Sequence, residues 1–311
     1  VVQQVAGADE PGDGGGQKSS RRVRYLQDEA APSAPRMVLG DALCKQREAL
    51  GLQQQEVAFR LGLSRSKVSR IESGHVRSKE RDLNSLFALY EIHDPREQTM
   101  LRSLAQDASK PVWWQRWSSV APRYLQAVVS FEDMAQRIRS YEPQYLHGLL
   151  QIPEYSRALI ERSSAPQDRH EALAALRAER QTKFASVPGK RLICVIDEVA
   201  LRRTVGSPEI MRRQVEHLIQ LEGNPQYQLR LAELGRCNLP VELGSTTIFD
   251  FAERVLPTLV YEEGFDAGLI IQDEESVDRR AKVFDALRVG SLTPPKTVQR
   301  LKDLLTSNYY R

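Results

Sequence analysis

The chain lacks the residues and runs that would place it in several large functional classes. Only three cysteines occur in 311 residues, at positions 44, 194 and 237, and none forms a C-x-x-C pair. So scattered and odd a set neither chelates zinc nor builds a disulfide framework, which leaves small buried thiols in a reducing cytoplasm. No apolar run approaches the ~20 residues needed to cross a bilayer, and no basic segment followed by an apolar one opens the chain. A membrane-spanning or secreted protein is not expected. Charge of one sign is also scarce: 44 basic against 41 acidic side chains leave +3. The whole chain is no polycation, so a nucleic-acid site has to be local.

Catalytic signatures are missing as well. Histidines stand at 75, 93, 147, 170 and 217 with no H-E-x-x-H or comparable metal spacing. There is no G-x-S-x-G elbow, no phosphate-binding G-x-x-x-x-G-K-[ST] loop and no G-x-G-x-x-G fingerprint. Asp197 and Glu198 follow an apolar run where catalytic carboxylates sometimes lie, but they read better as the start of a helix carrying Leu201. Trp113, Trp114 and Trp117 form the densest aromatic cluster; core or interdomain packing is the default, with Trp113 and Trp117 neighbours at i, i+4 if the segment is helical. No catalytic residue, metal site or cofactor is assigned, and the chain is expected not to be an enzyme.

What is present divides into three parts. The length exceeds one ordinary hydrophobic core and favours two domains with a tail. Residues 1–36 carry five of the 18 glycines and few large apolar side chains, which predicts a disordered extension. Its "RRVR" at 21–24 reads as solvated tail. Val1 heads the chain and Met37 stands where periodic patterning begins, which fits a fragment, a non-standard start codon or an upstream extension alike.

Residues 37–108 read as five short helices. Leu39, Leu43 and Leu50 mark the inner face of a first helix ending at Gly51; Val57, Ala58 and Leu61 mark a second ending at Gly62; a third runs from Ser64 to Ser73. Leu83, Leu86, Phe87 and Tyr90 form one stripe of a fourth, and Asp94 caps a fifth that opens with Pro95.

Residues 109–311 read as a larger α+β domain with a small sheet. Helical patterning runs from about 121 to 160 with breaks near Pro143 and Pro153, and a long helix follows from about 167 to 184. Strands are predicted within 191–197, 227–234, 245–251 and 256–263, and helices over 207–221, 275–289 and 296–306.

The informative stretch is residues 39–78. Two helices joined by a tight turn at 62–64, the second short and exposed, have the form of a helix-turn-helix. Gly62 supplies positive φ at the turn and Ala58 lets the helices approach. On a helical wheel Val68 and Ile71 define a buried stripe, while Ser66, Ser69, Arg70 and Ser73 face away, flanked by Arg65 and Lys67. That outward face has donors and cations but no apolar anchor of the kind a protein partner favours. Between residues 60 and 81 the local charge is +5, so everything else together is −2. Concentrated there, the charge supports a phosphate-binding footprint.

Residues 39–74 resemble the Xre/Cro/phage-repressor family: a first helix ending R-x-x-x-G, then A-x-x-x-G, then a polar helix ending E-x-G. The resemblance implies a fold-holding ion pair between Arg47 and Glu72. It further implies phosphate contact at the start of the second helix, on Gln54 with Gln53 beside it. Base contacts fall on Arg65, Ser66, Ser69 and Arg70, with Ser64 and Lys67 near the backbone. Gln53 departs from the family's usual Thr or Ser cap, which predicts a weaker cap.

The segments "LQAVVSFEDMAQRIRSYEPQYLHGLLQIPEYSRALI", "RAERQ", "VIDEVALRRTVGSPEIMRRQVEHL" and "VYEE" are similar to actinobacterial regulators that join an Xre-type head to an antitoxin-like domain of unassigned activity. His147 departs from the proline usual before "GLLQ". That resemblance implies a small protein partner encoded nearby. Together these readings predict a sequence-specific regulator of transcription in the cytoplasm. It would place helix 64–73 in the major groove of double-stranded DNA as a homodimer, since one short helix reads too few bases for selectivity. A protein-interaction module binding a small partner and a small-molecule-sensing regulator are the alternatives.

Overall fold

Hydrophobic periodicity resolves into a helical head laid against a wide mixed sheet. A computed structural model describes residues 23–26 and 33–310, apart from 109, 111, 236–239, 241, 253–255, 265–266 and 308–309. In chain order the elements are β1 (Val23–Leu26), α1 (Ala34–Ala49), α2 (Gln54–Leu61), α3 (Arg65–Glu72), α4 (Glu80–Leu89), α5 (Pro95–Asp107), α6 (Arg123–Met134), β2 (Arg137–Glu142), α7 (Pro153–Glu161) and α8 (His170–Ser186). They continue with β3 (Arg191–Asp197), α9 (Glu198–Arg202), α10 (Pro208–Leu221), β4 (Tyr227–Ala232), β5 (Thr246–Asp250), β6 (Leu259–Glu263), β7 (Gly268–Ile271), α11 (Glu274–Gly290) and α12 (Pro294–Thr306). The architecture is α+β, a helical head followed by a mixed sheet with helices.

Local signals set the helices of the head. Asp94 accepts a bond from the Arg96 amide at 2.8 Å, with Pro95 in the first turn where its missing N–H is harmless. Leu83, Leu86, Phe87 and Tyr90 are all buried. The first helix differs from its prediction: it starts at Ala34, and it is buried around its circumference, from Met37, Val38 and Leu39 through Asp41 to Leu43 and Cys44. Leu50, expected on the inner face, is 39% exposed just past the helix end. A helix enclosed all round has to be central. One side of α1 packs on α3 and α5, and the other meets α6 of the second domain, where the Gln272 amide reaches the Met37 carbonyl at 3.5 Å. The head and the sheet therefore share one continuous core.

The sheet is larger than the small one expected. Among the described residues its seven strands run in the order β1-β7-β6-β5-β2-β3-β4, with β2, β3 and β4 mutually parallel and the other pairings antiparallel. Residues 137–142, predicted helical, form the interior strand β2 between β5 and β3. Its "RIRSYE" sequence has weak apolar alternation; long-range pairing decides, and Asp250 takes a bidentate bond from Arg139 at 2.9 Å. β7 was not predicted either. Residues 23–26, inside the expected disordered extension, pair with β7 as an edge strand, for which backbone hydrogen bonding suffices. Arg21, Arg22 and the rest of that extension before Ser33 lie outside the described residues, as does Cys237. One face of the sheet joins the shared core, and α11 covers the other through Val277, Phe284 and Leu287.

The tryptophans sit in a short 3-10 turn, Trp113–Trp117, so the i, i+4 stacking of an α-helix does not arise. They are half-buried on α8, where the Trp117 indole donates to Glu179 at 3.1 Å. Asp197 caps α9 by accepting from the Val199 amide at 2.9 Å, and buried Glu198 binds Arg202 and Arg300.

Candidate nucleic-acid interface

The turn between α2 and α3 is built by backbone chemistry. Gly62 adopts φ 62°, ψ 34°, the left-handed conformation that glycine takes without a Cβ penalty, and the Leu63 amide returns to the Ala58 carbonyl at 2.9 Å. Ser64 caps α3, its hydroxyl accepting from the Lys67 amide at 3.1 Å. Val68 and Ile71 are buried, which turns the opposite side of α3 to solvent.

A second contact fixes α3 from behind. A methyl group at Gly40 of α1 would lie 2.4 Å from the Glu72 carbonyl oxygen, so the two helices approach backbone to backbone. Beside this contact Arg47 and Glu72, 6% and 5% exposed, are brought together: Nε donates to one carboxylate oxygen at 2.6 Å and Nη2 to the other at 3.0 Å. Arg47 also donates to the Leu52 carbonyl at 2.7 Å, while Glu72 accepts from Gln54 Nε2 at 2.8 Å and the Tyr90 hydroxyl at 3.4 Å. Burial opposes the Arg47 cation, but the bond and charge of Glu72 prevail and hold its pKa above the ordinary value. Burial, then the charge of Glu72, push the Tyr90 hydroxyl up, so it remains a donor. The pair is thus the centre of a satisfied network that ties α1, α2, α3 and the end of α4 together.

The residues assigned to DNA fall into two groups. Arg65, Ser66 and Arg70 are exposed and Ser69 half-buried along one side of α3, with neither arginine in a side-chain hydrogen bond or ion pair among the described residues. Exposed Arg77, Lys79 and Arg81 extend this surface through the following loop and the start of α4. Gln53 is exposed at the start of α2, and its side chain makes no cap bond. Gln54 and Lys67 are committed elsewhere: Gln54 turns inward to Glu72, and Lys67 Nζ pairs with Asp82 at 2.9 Å. Arg60 likewise pairs with Glu56 along α2. Sequence spacing could not reveal these partners; only the Arg60 pair, one helical turn apart, was open to it.

Among the described residues no group of three or more His, Cys, Asp or Glu side chains is placed to hold a metal ion, and no helix is long and apolar enough to cross a membrane. Residues 38–99 match the family model described as a helix-turn-helix domain. Residues 125–303, more than half of the chain, match the model described as a domain of unknown function, DUF5753. No curated protein and no solved structure matches the chain.

Proposed function

The chain belongs to the DUF5753 family, and from the helix-turn-helix domain ahead of that region we propose that it is a sequence-specific, Xre-type regulator of transcription. The observation that carries this reading is the surface of α3: two exposed guanidinium groups, Arg65 and Arg70, unpaired among the described residues, on a helix whose apolar stripe is used up inside the head. An arginine fork bonds guanine O6 and N7 together, worth about 1–3 kcal/mol of discrimination per good pair. Ser66 and Ser69 add weaker donors on the same side. The head acts as one of two in a homodimer on double-stranded DNA, because a helix of eight residues spans too few base pairs to select a site alone. Its place of action is the cytoplasm.

Charge supplies affinity and α3 supplies selectivity. Arg65, Arg70, Arg77, Lys79 and Arg81 are the cations left for DNA once Arg60 and Lys67 are set aside as paired. If each neutralises one phosphate, the logarithm of affinity falls with the logarithm of salt at a slope of about −4.5 per protomer. The test is selection of bound fragments from sheared genomic DNA by the full chain, followed by a salt series on those recovered. A shared sequence element bound with a steep negative slope supports the proposal. Recovery of no common element, or a slope near zero, refutes it.

A further inference from the structure

Of the three basic side chains on α3, one is withheld. Arg65 and Arg70 have no side-chain partner among the described residues, whereas Lys67 has Asp82. Lys67 Nζ lies 2.9 Å from each carboxylate oxygen of Asp82 and donates a hydrogen bond to Oδ1. The chain between them folds back on α3 to bring this about. The Val76 amide returns to the Arg70 carbonyl at 3.3 Å, Ser78 is buried, and Lys79 leads into α4. Asp82 then stands in the first turn of α4, where the unpaired amides of a helix start favour an anion.

The two partners are unequally exposed: the side chain of Lys67 is 38% accessible and that of Asp82 only 11%. An ion pair between two exposed groups holds weakly, because water replaces either partner. Here water reaches the ammonium but scarcely the carboxylate. Among the described residues no side chain other than Lys67 serves Asp82, and its Oδ2 is buried with no hydrogen bond, held by the charge of Lys67 alone. Drawing Lys67 away to a DNA phosphate would leave that carboxylate enclosed without a counter-charge and turned toward a second anion. The phosphate offers the ammonium one negative charge, which Asp82 already supplies from within the fold.

We propose that Asp82 is a brake on DNA binding, a positioning residue that keeps Lys67 off the phosphate backbone. The inference rests on α3 being the DNA-facing helix and adds a residue that lowers affinity there. A contact between lysine and phosphate carries no sequence information, so withholding it weakens every duplex alike. The base contacts assigned to Arg65 and Arg70 are left as they are. Their share of the remaining affinity grows, and unrelated DNA is held less firmly than the cations of α3 would otherwise hold it.

The test is a salt series by fluorescence anisotropy on a recovered genomic fragment and on an unrelated duplex. It compares the full chain with Asp82→Asn, Lys67→Ala and the double variant, each checked by its melt; Asp82→Ser replaces Asp82→Asn should that variant fail to fold. Asp82→Asn should gain one phosphate contact per protomer. The slope then steepens from about −4.5 to about −5.4 on both duplexes, with binding roughly tenfold tighter per protomer near about 50 mM salt. Lys67→Ala should keep the wild-type slope, and the double variant should return to it, because the gain passes through Lys67. The role of Asp82 is overturned if its replacement leaves a steep wild-type slope unchanged. It is equally overturned if the double variant keeps the gain, since Asp82 would then act only by repelling DNA. A flat slope in the wild type, by contrast, removes the DNA-reading proposal itself.

Discussion

Replacing Glu72 with alanine removes the acceptor that serves Arg47, Gln54 and Tyr90 at once. The guanidinium then stays buried without a counter-charge. Breaking a buried pair by deleting one partner costs about 3–5 kcal/mol. The upper part of the range applies, because Gln54 and Tyr90 lose a partner too. Urea unfolding of the full chain measures this cost, and the core that α1 shares with the second domain couples the head to global unfolding. With a slope near the top of the roughly 1–3 kcal/mol/M range, the midpoint falls by about 1.3–1.7 M. The double variant Arg47→Met with Glu72→Met removes both charges and should lose less than the two single methionine variants combined, by about 1–3 kcal/mol. A Glu72→Ala midpoint within about 0.2 M of wild type, or an additive double variant, would show that the network does not hold α3 in place.

Three further outcomes follow from individual positions. Gly40→Ala drives a methyl group to 2.4 Å from a backbone oxygen that cannot swing away, so stability should fall by about 1–3 kcal/mol, while an unchanged melt would contradict the close helix contact. Gln53→Ser supplies the cap that α2 lacks and should raise stability by roughly 0.5–1 kcal/mol; no gain would mean that the cap is already satisfied. Burial holds buried His147 down at about 4, with Glu132 pulling the other way and Arg180 and Arg177 adding to the depression. The unfolded imidazole titrates near 6.5, so this contribution is complete above that pH and is lost as pH falls from about 6.5 toward 4, by about 3 kcal/mol in all. His147→Gln should remove that pH dependence, seen as a stability difference from wild type that shrinks over the same window; a constant difference would rule it out.

The head was legible in the sequence because its signals are local. Gly62, Ser64, Asp94 and Pro95 act within a few residues of themselves, and the Val68–Ile71 stripe is a matter of helical period. The positions of Gln54 and Lys67 were not, since Glu72 and Asp82, which hold them, are distant in sequence and meet them only after the helices pack. His147, which departs from proline, still makes its turn by accepting the Leu149 amide through Nδ1 at 3.2 Å. The sheet was legible where β-branched runs were dense, as in β3, and illegible in β2, where buried Arg139 and Ser140 interrupt the apolar pattern. The polar end of the sheet could not be read at all: Glu142 and Ser245, bonded at 3.3 Å, become neighbours only through the antiparallel pairing of β2 with β5.

Fluorescence anisotropy with a recovered genomic fragment, at fixed salt, compares the full chain with Arg65→Ala/Arg70→Ala and with Lys67→Ala. The double variant should lose about 2 kcal/mol or more per protomer, roughly a thirtyfold weakening, and lose its preference over unrelated DNA. Lys67→Ala, already paired with Asp82, should change affinity less than about threefold. Wild-type affinity and preference in the double variant would contradict the assignment of α3 as the reading helix.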